Sequence, residues 1–254
     1  MSVPFLSAFG IRIANASVVT IVSDIRKRVD AGETPIQVTG VNLEQMALLK
    51  SEPLFRSYLE RSDIINIDGT IVYLFLKWLG LNPIGRGLCA DLLYGLLSCA
   101  ANRGESIFLL GAEQDTVEKV SQELRSQYPG IRIAGMQNGY YVDELEVVEK
   151  IAASKADYLF IGMPSPRKER FASIYKEQLN VKVCLGVGGM FDIIAGKAKR
   201  APHMIQKLGF EWLYRITQNP FGHARRIIRA LLPAFSLFVE YKNRENNVCD
   251  ENNI

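Results

Sequence analysis

The sequence predicts an α/β fold in which a parallel β-sheet is flanked by helices. Short apolar runs rich in Val and Ile alternate with longer amphipathic stretches over most of the chain, and this alternation is typical of strands joined by crossover helices. Hydrophobic residues make up 48% of the 254 residues and charged residues 22%. Such a chain can bury a sizeable core, which excludes a disordered chain and a disulfide-stapled miniprotein.

The apolar runs and the amphipathic stretches place the elements in order along the chain. Strands are predicted at 36–41, 64–67, 106–110, 131–134, 158–161 and 181–185. Helices are predicted at 43–60, 70–79, 91–102, 115–127, 143–155 and 166–178. Because the pattern changes near residue 200, we predict a core domain of residues 1–200 and a C-terminal basic amphipathic appendage of residues 201–254.

The predicted appendage is basic, whereas the rest of the chain is balanced. Residues 200–244 contain eight Lys and Arg against two Asp and Glu, and residues 1–199 contain 22 of each sign. The apolar run at 230–239 is interrupted by Pro233 and falls well short of the roughly 20 residues that a spanning helix needs. Three arginines stand beside apolar residues in this segment: Arg225, Arg226 and Arg229. The pattern favours a basic amphipathic helix at an anionic membrane surface, and a helix docked on its own domain or on another subunit stays open.

Residue spacing argues against a metal site and against export. The four cysteines form no C-x-x-C pair, the two histidines are not at ligand spacing with them, and no D-x-D pair occurs. We therefore predict neither a metal nor another cofactor. The N-terminal residues lack the basic and long apolar regions of a signal peptide, which predicts a cytoplasmic protein with reduced thiols.

Small and polar residues gather where predicted strands give way to helices. Five such junctions stand out, at 38–42, 66–70, 109–115, 162–169 and 185–192. In an open parallel sheet these junctions share one edge, and ligands bind there. The sequence thus predicts a site built from several loops at the carboxyl edge of the sheet.

Asp68 is the first candidate for chemistry at this edge. It follows the apolar stretch IINI and precedes Gly69, so its carboxylate can take a proton from a hydroxyl nucleophile. It can equally cap the helix that starts after Gly69. Position alone favours the cap over the base.

Two other junctions carry features suited to phosphate groups. The segment LGVGGMFD offers several unobstructed backbone N–H groups, but a G-x-G-x-x-G reading from Gly186 places Phe191 at the third glycine, and no P-loop occurs. Gly111 opens another helix and is a second anion position. In the segment PSPRKE, the cations Arg167 and Lys168 precede Glu169 in a first helical turn. Cations are unfavourable at this end of the helix dipole unless an anion lies nearby, so the segment is suited to a diphosphate. A solvated charged turn is the alternative, and nothing around Ser165 marks it as a nucleophile.

Taken together, these segments resemble the WecG/TagA/CpsF family of bacterial glycosyltransferases, glycosyltransferase family 26. The resemblance rests on NIDGT, RGLCADLL, FLLGAEQD, NGYY, GMPSPRKE and GVGGMFDIIAGKAKRAPHMIQKLGFEWLYR. It runs in order from about residue 39 to residue 229, and the block 186–215 is its most specific part.

The resemblance implies an inverting transfer of a hexose from a UDP-sugar to a sugar on undecaprenyl diphosphate, without a metal and without nucleic acid as a partner. It implies a protein peripheral on the inner face of the cell membrane. It also implies a Rossmann-like architecture of the GT-E type with a C-terminal membrane-associating appendage. Asp68 matches the proposed catalytic base of the family, so the resemblance favours the role of base over the role of helix cap. A homo-oligomer stays open.

The resemblance further assigns residues to the two substrates. On the acceptor side and at the reaction centre it places Thr39, Asn42, Arg86 and Asp91. On the donor side it places Gly186, Gly188, Gly189, Phe191, Asp192, Arg200, Ala201, Pro202, Glu211, Trp212 and Arg215, to which we add Gly111, Ser165, Arg167, Lys168 and Glu169. Membrane contact is assigned to Arg225, Arg226 and Arg229.

Two departures from the family pattern bear on these assignments. Cys89 and Ala90 stand where the family commonly has Gly before a small residue, so the local turn can differ. The chain reads S-P-R-K-E at 165–169 where many members read S-P-K-Q-E. This favours glucose as the transferred hexose, in exopolysaccharide assembly.

The alternative within the family is a transferase for N-acetylmannosamine, or its uronate, in cell-wall or surface-polymer synthesis. From other classes, a nucleotide-dependent oxidoreductase and a noncatalytic, membrane-associated partner of a polysaccharide assembly complex remain as alternatives.

Overall fold

The computed structural model describes the backbone of residues 3–251 and, within that range, the side chains of residues 3–222 and 224–244. The predicted ranges 1–200 and 201–254 therefore extend beyond the described residues at both ends. The side chains of His223 and Cys249, which entered the argument about metal sites, also lie outside the described part.

The chain alternates strands and helices, as the sequence predicts. The strands are β1 Phe5–Ala8, β2 Ile11–Ala14, β3 Ile36–Val41, β4 Ile64–Ile67, β5 Ser106–Gly111, β6 Arg132–Gln137, β7 Tyr158–Gly162 and β8 Val183–Gly186. The helices are α1 Val18–Asp30, α2 Leu43–Ser51, α3 Phe55–Glu60, α4 Thr70–Trp78, α5 Cys89–Arg103, α6 Gln114–Gln127, α7 Glu144–Ser154, α8 Arg167–Tyr175, α9 Met190–Ile194, α10 His203–Leu208, α11 Glu211–Gln218 and α12 Pro220–Glu251.

The eight strands form one sheet in the order β1-β2-β4-β3-β8-β7-β5-β6. Only β1 pairs antiparallel, with β2, and every other pairing is parallel. The carboxyl ends of β3, β4, β5, β7 and β8 consequently meet at one edge of the sheet. The predicted α/β class with a largely parallel sheet is confirmed.

Helices cover both faces of the sheet, because its strands are buried on both sides. In β5, Ile107 and Leu109 point into the core shared with α1, α5, α6 and α9, whereas Phe108 and Leu110 point into the core shared with α7 and α8. On that second face, the half of the sheet formed by β1 to β4 is covered by α2, α3, α4 and α12. This layering leaves the carboxyl edge as the place for a site.

The structure departs from the predicted elements in several places. The strands β1 and β2 were not predicted, because Ser7 and Arg12 interrupt their short apolar runs, and the helix α1 was not predicted either. The predicted helix 43–60 is two helices, since Glu52 is extended ahead of Pro53 and a residue before proline avoids the helical region. The strand predicted at 131–134 lies at Arg132–Gln137 instead.

Helix α12 packs along α2 and completes the core over β1 to β4. Ala230, Ala234 and Phe238 are buried on the face that it turns to the sheet. The ring of Phe238 stacks on Phe75 with centroids 4.1 Å apart and meets Phe9 edge-on at 5.0 Å. One face of the helix is thus docked on its own chain, as the docked-helix alternative expects, and no helix in the described range has the length and apolarity to span a bilayer.

We expect Phe238→Ala to lower the free energy of unfolding by about 3 to 5 kcal/mol, because the variant leaves a cavity between α12 and the sheet. Urea unfolding followed by circular dichroism measures the loss. Leu232→Ala is the matched control, since Leu232 lies on the same helix with 79% of its surface exposed, and it should change stability by less than about 0.5 kcal/mol. Equal effects of the two variants would show that α12 is not part of the cooperative core.

Candidate active site

Asp68 lies at the carboxyl end of β4, half-buried, with its side chain turned toward the start of α5. Its own N–H donates to the Val41 carbonyl at 2.9 Å, and the Cys89 N–H donates to its Oδ1 at 2.8 Å. The Cys89 N–H thus holds one oxygen of the carboxylate against the start of α5.

The capping alternative for Asp68 is wrong for the helix that follows it. Helix α4 begins at Thr70 with Gly69 as N-cap, and no side chain caps it. The carboxylate instead receives the first backbone N–H of α5, a helix that starts 21 residues later in the chain. This places the acid group between two helix starts.

Two glycines allow the close packing around Asp68. A Cβ on Gly40 would lie 2.5 Å from Cys89 Sγ and 2.6 Å from the Cβ of Asp68, so only glycine lets β3, Asp68 and α5 meet. Gly69 has a φ of 153°, which residues with a side chain rarely adopt. The backbone conformation at position 69 therefore requires glycine, independently of any role of the Asp68 carboxylate.

Cys89 is a packing and backbone contact here and not a nucleophile. Burial raises the pKa of the Cys89 thiol well above its usual range, and the charge of Asp68 raises it further. A thiol with a raised pKa stays protonated at neutral pH, and the thiolate is the reactive form.

The two acceptor-side residues on β3 and the turn after it lie near Asp68. Thr39 is 3% exposed and its hydroxyl has no hydrogen-bond partner among the described residues. Asn42 caps α2 by accepting from the Glu44 N–H at 2.8 Å, while Gln45 accepts from the Asn42 N–H at 3.1 Å. A Cβ on Gly69 would lie 3.5 Å from the Asn42 Cβ, so the starts of α2 and α4 are adjacent.

The other two acceptor-side residues connect the core to the segment after β8. Arg86 donates to the Thr70 hydroxyl at 2.7 Å and to the Gln206 carbonyl at 3.1 Å.

Asp91, in the first turn of α5, accepts from Arg200 at 2.5 Å. Arg200 also pairs with Glu211 at 3.7 Å. The segment containing α10 and α11 is therefore fastened beside Asp68, and the predicted donor residues Arg200 and Glu211 lie next to the predicted acceptor residue Asp91.

The turn after β7 contains a buried polar network. Lys168 and Glu169 are 6% and 2% exposed and form an ion pair. Ser165 donates to Glu169 at 2.8 Å and accepts from Lys168 and, at 2.6 Å, from Gln45. Because Gln45 lies on α2, this network joins the loop after β3 to the loop after β7.

The Lys168 side chain is buried beneath the loops, and its charge is paired with Glu169. A Cβ on Gly186 would lie 3.2 Å from Lys168 Cδ and Cε, so the lysine chain lies over the end of β8. Val38 pairs with Leu185 in the ladder between β3 and β8, which places Thr39 beside Gly186 on the same face. The second carboxylate oxygen of Glu169 has no partner among the described residues.

Three donor-side loops meet closely around glycines. Gly111 has a φ of 133° and the next residue donates to the Gly162 carbonyl at 3.1 Å. A Cβ on Gly162 would lie 2.5 Å from the ring of Phe191. Gly189 is exposed and Gly188 has a φ of 52°, so the turn after β8 presents open backbone.

Among the remaining predicted donor residues, Ala201 is buried, Trp212 is half-buried and Pro202 is exposed. Arg167 donates to the Gly139 carbonyl at 2.5 Å and lies over the Tyr141 ring at 4.5 Å, so it fastens the NGYY loop. Asp192 and Arg215 have exposed side chains.

The three arginines assigned to the membrane are also exposed, on α12, and one of them, Arg226, lies 4.0 Å from Glu44. Arg226 thereby reaches the first turn of α2, whose N-cap is Asn42.

Sequence reasoning missed two residues that organise the site. Gln45 is 4% exposed and bridges Asn42 and Ser165; the spacing Asn-x-x-Gln is a capping-box signature that could have revealed it. Asn66 is fully buried and donates to the Gly87 carbonyl, which holds the loop before α5. A single polar residue inside the apolar strand IINI was the available signal.

The described part of the chain contains no group of three or more His, Cys, Asp or Glu side chains that could hold a metal ion.

Comparison with known proteins finds one matching family and similar proteins from Bacillus. The model of the "Glycosyl transferase WecG/TagA/CpsF family" matches residues 6–248. An N-acetylglucosaminyldiphosphoundecaprenol N-acetyl-beta-D-mannosaminyltransferase of Bacillus spizizenii is 34% identical over 168 residues, which cover 66% of this chain and 65% of the relative. A protein of the same name from Bacillus subtilis is 32% identical over 211 residues, which cover 82% of this chain and 81% of the relative.

The buried pair of Lys168 and Glu169 gives a stability prediction. We expect Lys168→Met to cost about 3 to 5 kcal/mol in urea unfolding, because it leaves a buried carboxylate without its cation. Adding Glu169→Gln should restore much of that loss. The control is Lys197→Met, which breaks an ion pair with Glu113 in which both side chains are exposed, and it should leave the free energy of unfolding nearly unchanged. No recovery in the double variant would contradict the pairing.

Proposed function

The chain belongs to the WecG/TagA/CpsF family of glycosyl transferases, and from this membership we propose that it transfers N-acetylmannosamine from a UDP-linked donor. The proposed acceptor is N-acetylglucosamine on undecaprenyl diphosphate. The printed names of both relatives support this sugar and this acceptor, and they support it better than they support glucose.

The observation that carries the proposal is the carboxylate of Asp68 at the carboxyl edge of the sheet. Its Oδ1 is held by the Cys89 N–H, and its other oxygen accepts the proton of the acceptor hydroxyl. As that proton leaves, the hydroxyl oxygen bonds to the anomeric carbon of the donor and the bond from that carbon to UDP breaks. Attack opposite to the leaving group inverts the anomeric centre, and UDP departs carrying the electron pair.

The negative charge that develops on the leaving diphosphate must be stabilised by N–H groups and cations on the side of the sugar opposite to Asp68. The open backbone of Gly188 and Gly189 offers N–H groups, and Arg215 is an exposed cation on the neighbouring helix α11. Arg200, already held between Asp91 and Glu211, adds a fixed positive charge. Such preorganised donors stabilise the transition state without rearranging.

Glucose transfer in exopolysaccharide assembly is the second candidate, and the observation that favours it is the S-P-R-K-E turn at 165–169. In the structure Lys168 of that turn is buried and paired with Glu169. The lysine by which this turn departs from the common family pattern thus lies in the interior, against the end of β8.

We also propose that the protein attaches peripherally to the inner face of the cell membrane, where a lipid-linked acceptor resides. Residues 1–200 would form the catalytic core and residues 201–254 the appendage, with α12 serving both as a core element and as a surface. Arg225, Arg226 and Arg229 line an open groove of about 370 Å³ between α2 and α12, which suits anionic lipid headgroups.

The transfer is tested by incubating the purified chain with N-acetylglucosaminyl diphosphoundecaprenol and, in separate reactions, UDP-N-acetylmannosamine, its uronate and UDP-glucose. We expect product lipid with the first donor, detected by mass spectrometry. Product with UDP-glucose alone would establish the second candidate, and no product with any donor would contradict transferase activity.

In the same assay Asp68→Asn should lower turnover by about 10² to 10⁴, the usual contribution of one acid–base residue. Donor affinity in a thermal-shift titration should stay within about threefold. Asp192→Asn, on the donor side, should instead raise the apparent KM for the donor. Near-normal turnover of Asp68→Asn would remove Asp68 from the role of base.

The membrane proposal predicts that Arg225→Gln with Arg229→Gln weakens binding to vesicles containing phosphatidylglycerol by about tenfold or more, since each cation near an anionic surface contributes about 1 kcal/mol. Lys119→Gln with Arg125→Gln removes two exposed cations of α6 and serves as the matched control. Equal binding by the two double variants, measured by vesicle flotation, would contradict a lipid role for α12.

A further inference from the structure

We propose that α4, the helix that begins directly after Asp68-Gly69, is a second membrane-contacting element that seats the exposed face of Leu74 and Trp78 in the surface of an anionic phospholipid bilayer. The inference rests on the proposed function, because it concerns how a lipid-linked acceptor reaches Asp68. It adds a surface of the core domain to the contact already proposed for α12.

The starting observation is the exposure of large apolar side chains on α4. Leu74 is 56% exposed and Trp78 is 46% exposed, and their i, i+4 spacing places them on one side of the helix. The opposite side packs into the core through Val72 and Leu76, which are fully buried. The sequence TIVYLFLKW of α4 includes no acidic residue.

The exposed side of α4 is continuous with an exposed apolar stripe on α12. The stripe consists of Ile228, Leu231, Leu232 and Phe235, each at least 43% exposed. These residues recur at i, i+3, i+4 and i+7, so they share one face of α12, next to the face that Ala234 and Phe238 bury.

Ring contacts fix the two helices side by side. Phe75 of α4 stacks on Phe238, and its centroid lies 6.1 Å from that of Phe235 and 6.2 Å from that of Trp78. The ammonium group of Lys242 lies 3.9 Å from the centre of the Trp78 ring. Trp78 therefore lies against Lys242 of α12, and Phe75 connects it to Phe235 and Phe238, so that the apolar surfaces of the two helices form one patch.

The positive charges around this patch favour an anionic bilayer as its binding partner. Lys77 and Lys242 lie beside Trp78, and Arg225 and Arg229 border the other side of the stripe on α12. Apolar side chains surrounded by cations are complementary to a bilayer with anionic headgroups, and a tryptophan with a half-exposed ring is suited to the headgroup level. A contiguous apolar patch of this kind marks an interaction surface.

Contact through α4 would set the position of the catalytic carboxylate relative to the lipid. Nine residues at about 1.5 Å each separate the turn that contains Asp68 from Trp78 at the far end of the helix. Since the helix is held rigidly by the core, seating its exposed side brings Asp68 to the border of the lipid surface. The sugar head of a lipid-linked acceptor lies in that zone.

Fluorescence tests the proposal, because the chain has two tryptophans and Trp212→Phe leaves Trp78 as the sole tryptophan, which is excited at wavelengths that tyrosine does not absorb. On adding vesicles of phosphatidylcholine and phosphatidylglycerol, we expect the emission of Trp78 to shift to the blue and to be quenched by brominated acyl chains. Unchanged emission from protein that floats with the vesicles would overturn the proposal, since α12 alone would then contact the lipid.

Vesicle flotation gives a second measurement that does not depend on the fluorescent variant. Leu74→Ser with Trp78→Ser should weaken binding to the same vesicles about tenfold or more. The reason is that losing the burial of one leucine side chain in the lipid already lowers the affinity by about that factor. Val19→Ser with Leu145→Ser is the control, since Val19 and Leu145 are 79% and 57% exposed outside the patch. Equal binding by the two double variants would also overturn the proposal.

Two further readouts separate the possible outcomes. If a second copy of this chain covers the patch, light scattering will show a dimer that the Leu74 and Trp78 variant loses, and that result would replace the bilayer as the occupant. Transfer to a detergent-dispersed acceptor should be unchanged in the Leu74 and Trp78 variant. Vesicle binding through Trp78 with no transfer to any acceptor would refute the proposed function and leave this inference standing.

Discussion

The hydrogen bond from the Cys89 N–H to the Asp68 carboxylate is the contact on which the site depends. It joins the end of β4 to the first turn of α5 and orients the acid group through one of its two oxygens. Gly40 makes the contact possible, because any side chain there would collide with both residues. The same carboxylate therefore has a structural role toward α5 and, in the proposed function, a chemical role toward the acceptor.

The loops around Asp68 are held by polar contacts that cross from one substrate side to the other. Gln45 joins the start of α2 to Ser165 and through it to the buried pair of Lys168 and Glu169, while Arg200 joins Asp91 to the segment after β8. A buried network in which most groups are satisfied restricts the loops to one arrangement. Precise placement of both substrates is what a displacement at a sugar carbon requires.

The C-terminal helix combines two roles that the sequence presents as alternatives. Its face with Ala234 and Phe238 completes the core over β1 to β4, and the neighbouring face exposes apolar and basic residues beside those of α4. A helix can do both because residues three and four apart share a face. Packing alone does not explain why the exposed face is apolar and basic, whereas contact with a membrane that carries the proposed lipid-linked acceptor does.

Local periodicity determined much of the architecture: the sequence predicted β3 and β4 with the bounds that the structure has, and it marked the Asp68-Gly69 junction, because alternation and glycine act over a few residues. It could not decide the partners of those residues. The bond between Asp68 and Cys89, the bond between Arg200 and Asp91 across 109 positions, and the place of β8 between β3 and β7 all depend on how distant segments pack. Only the tertiary structure brings such segments together, since burial of the shared core, and not the local chain, selects which loops meet.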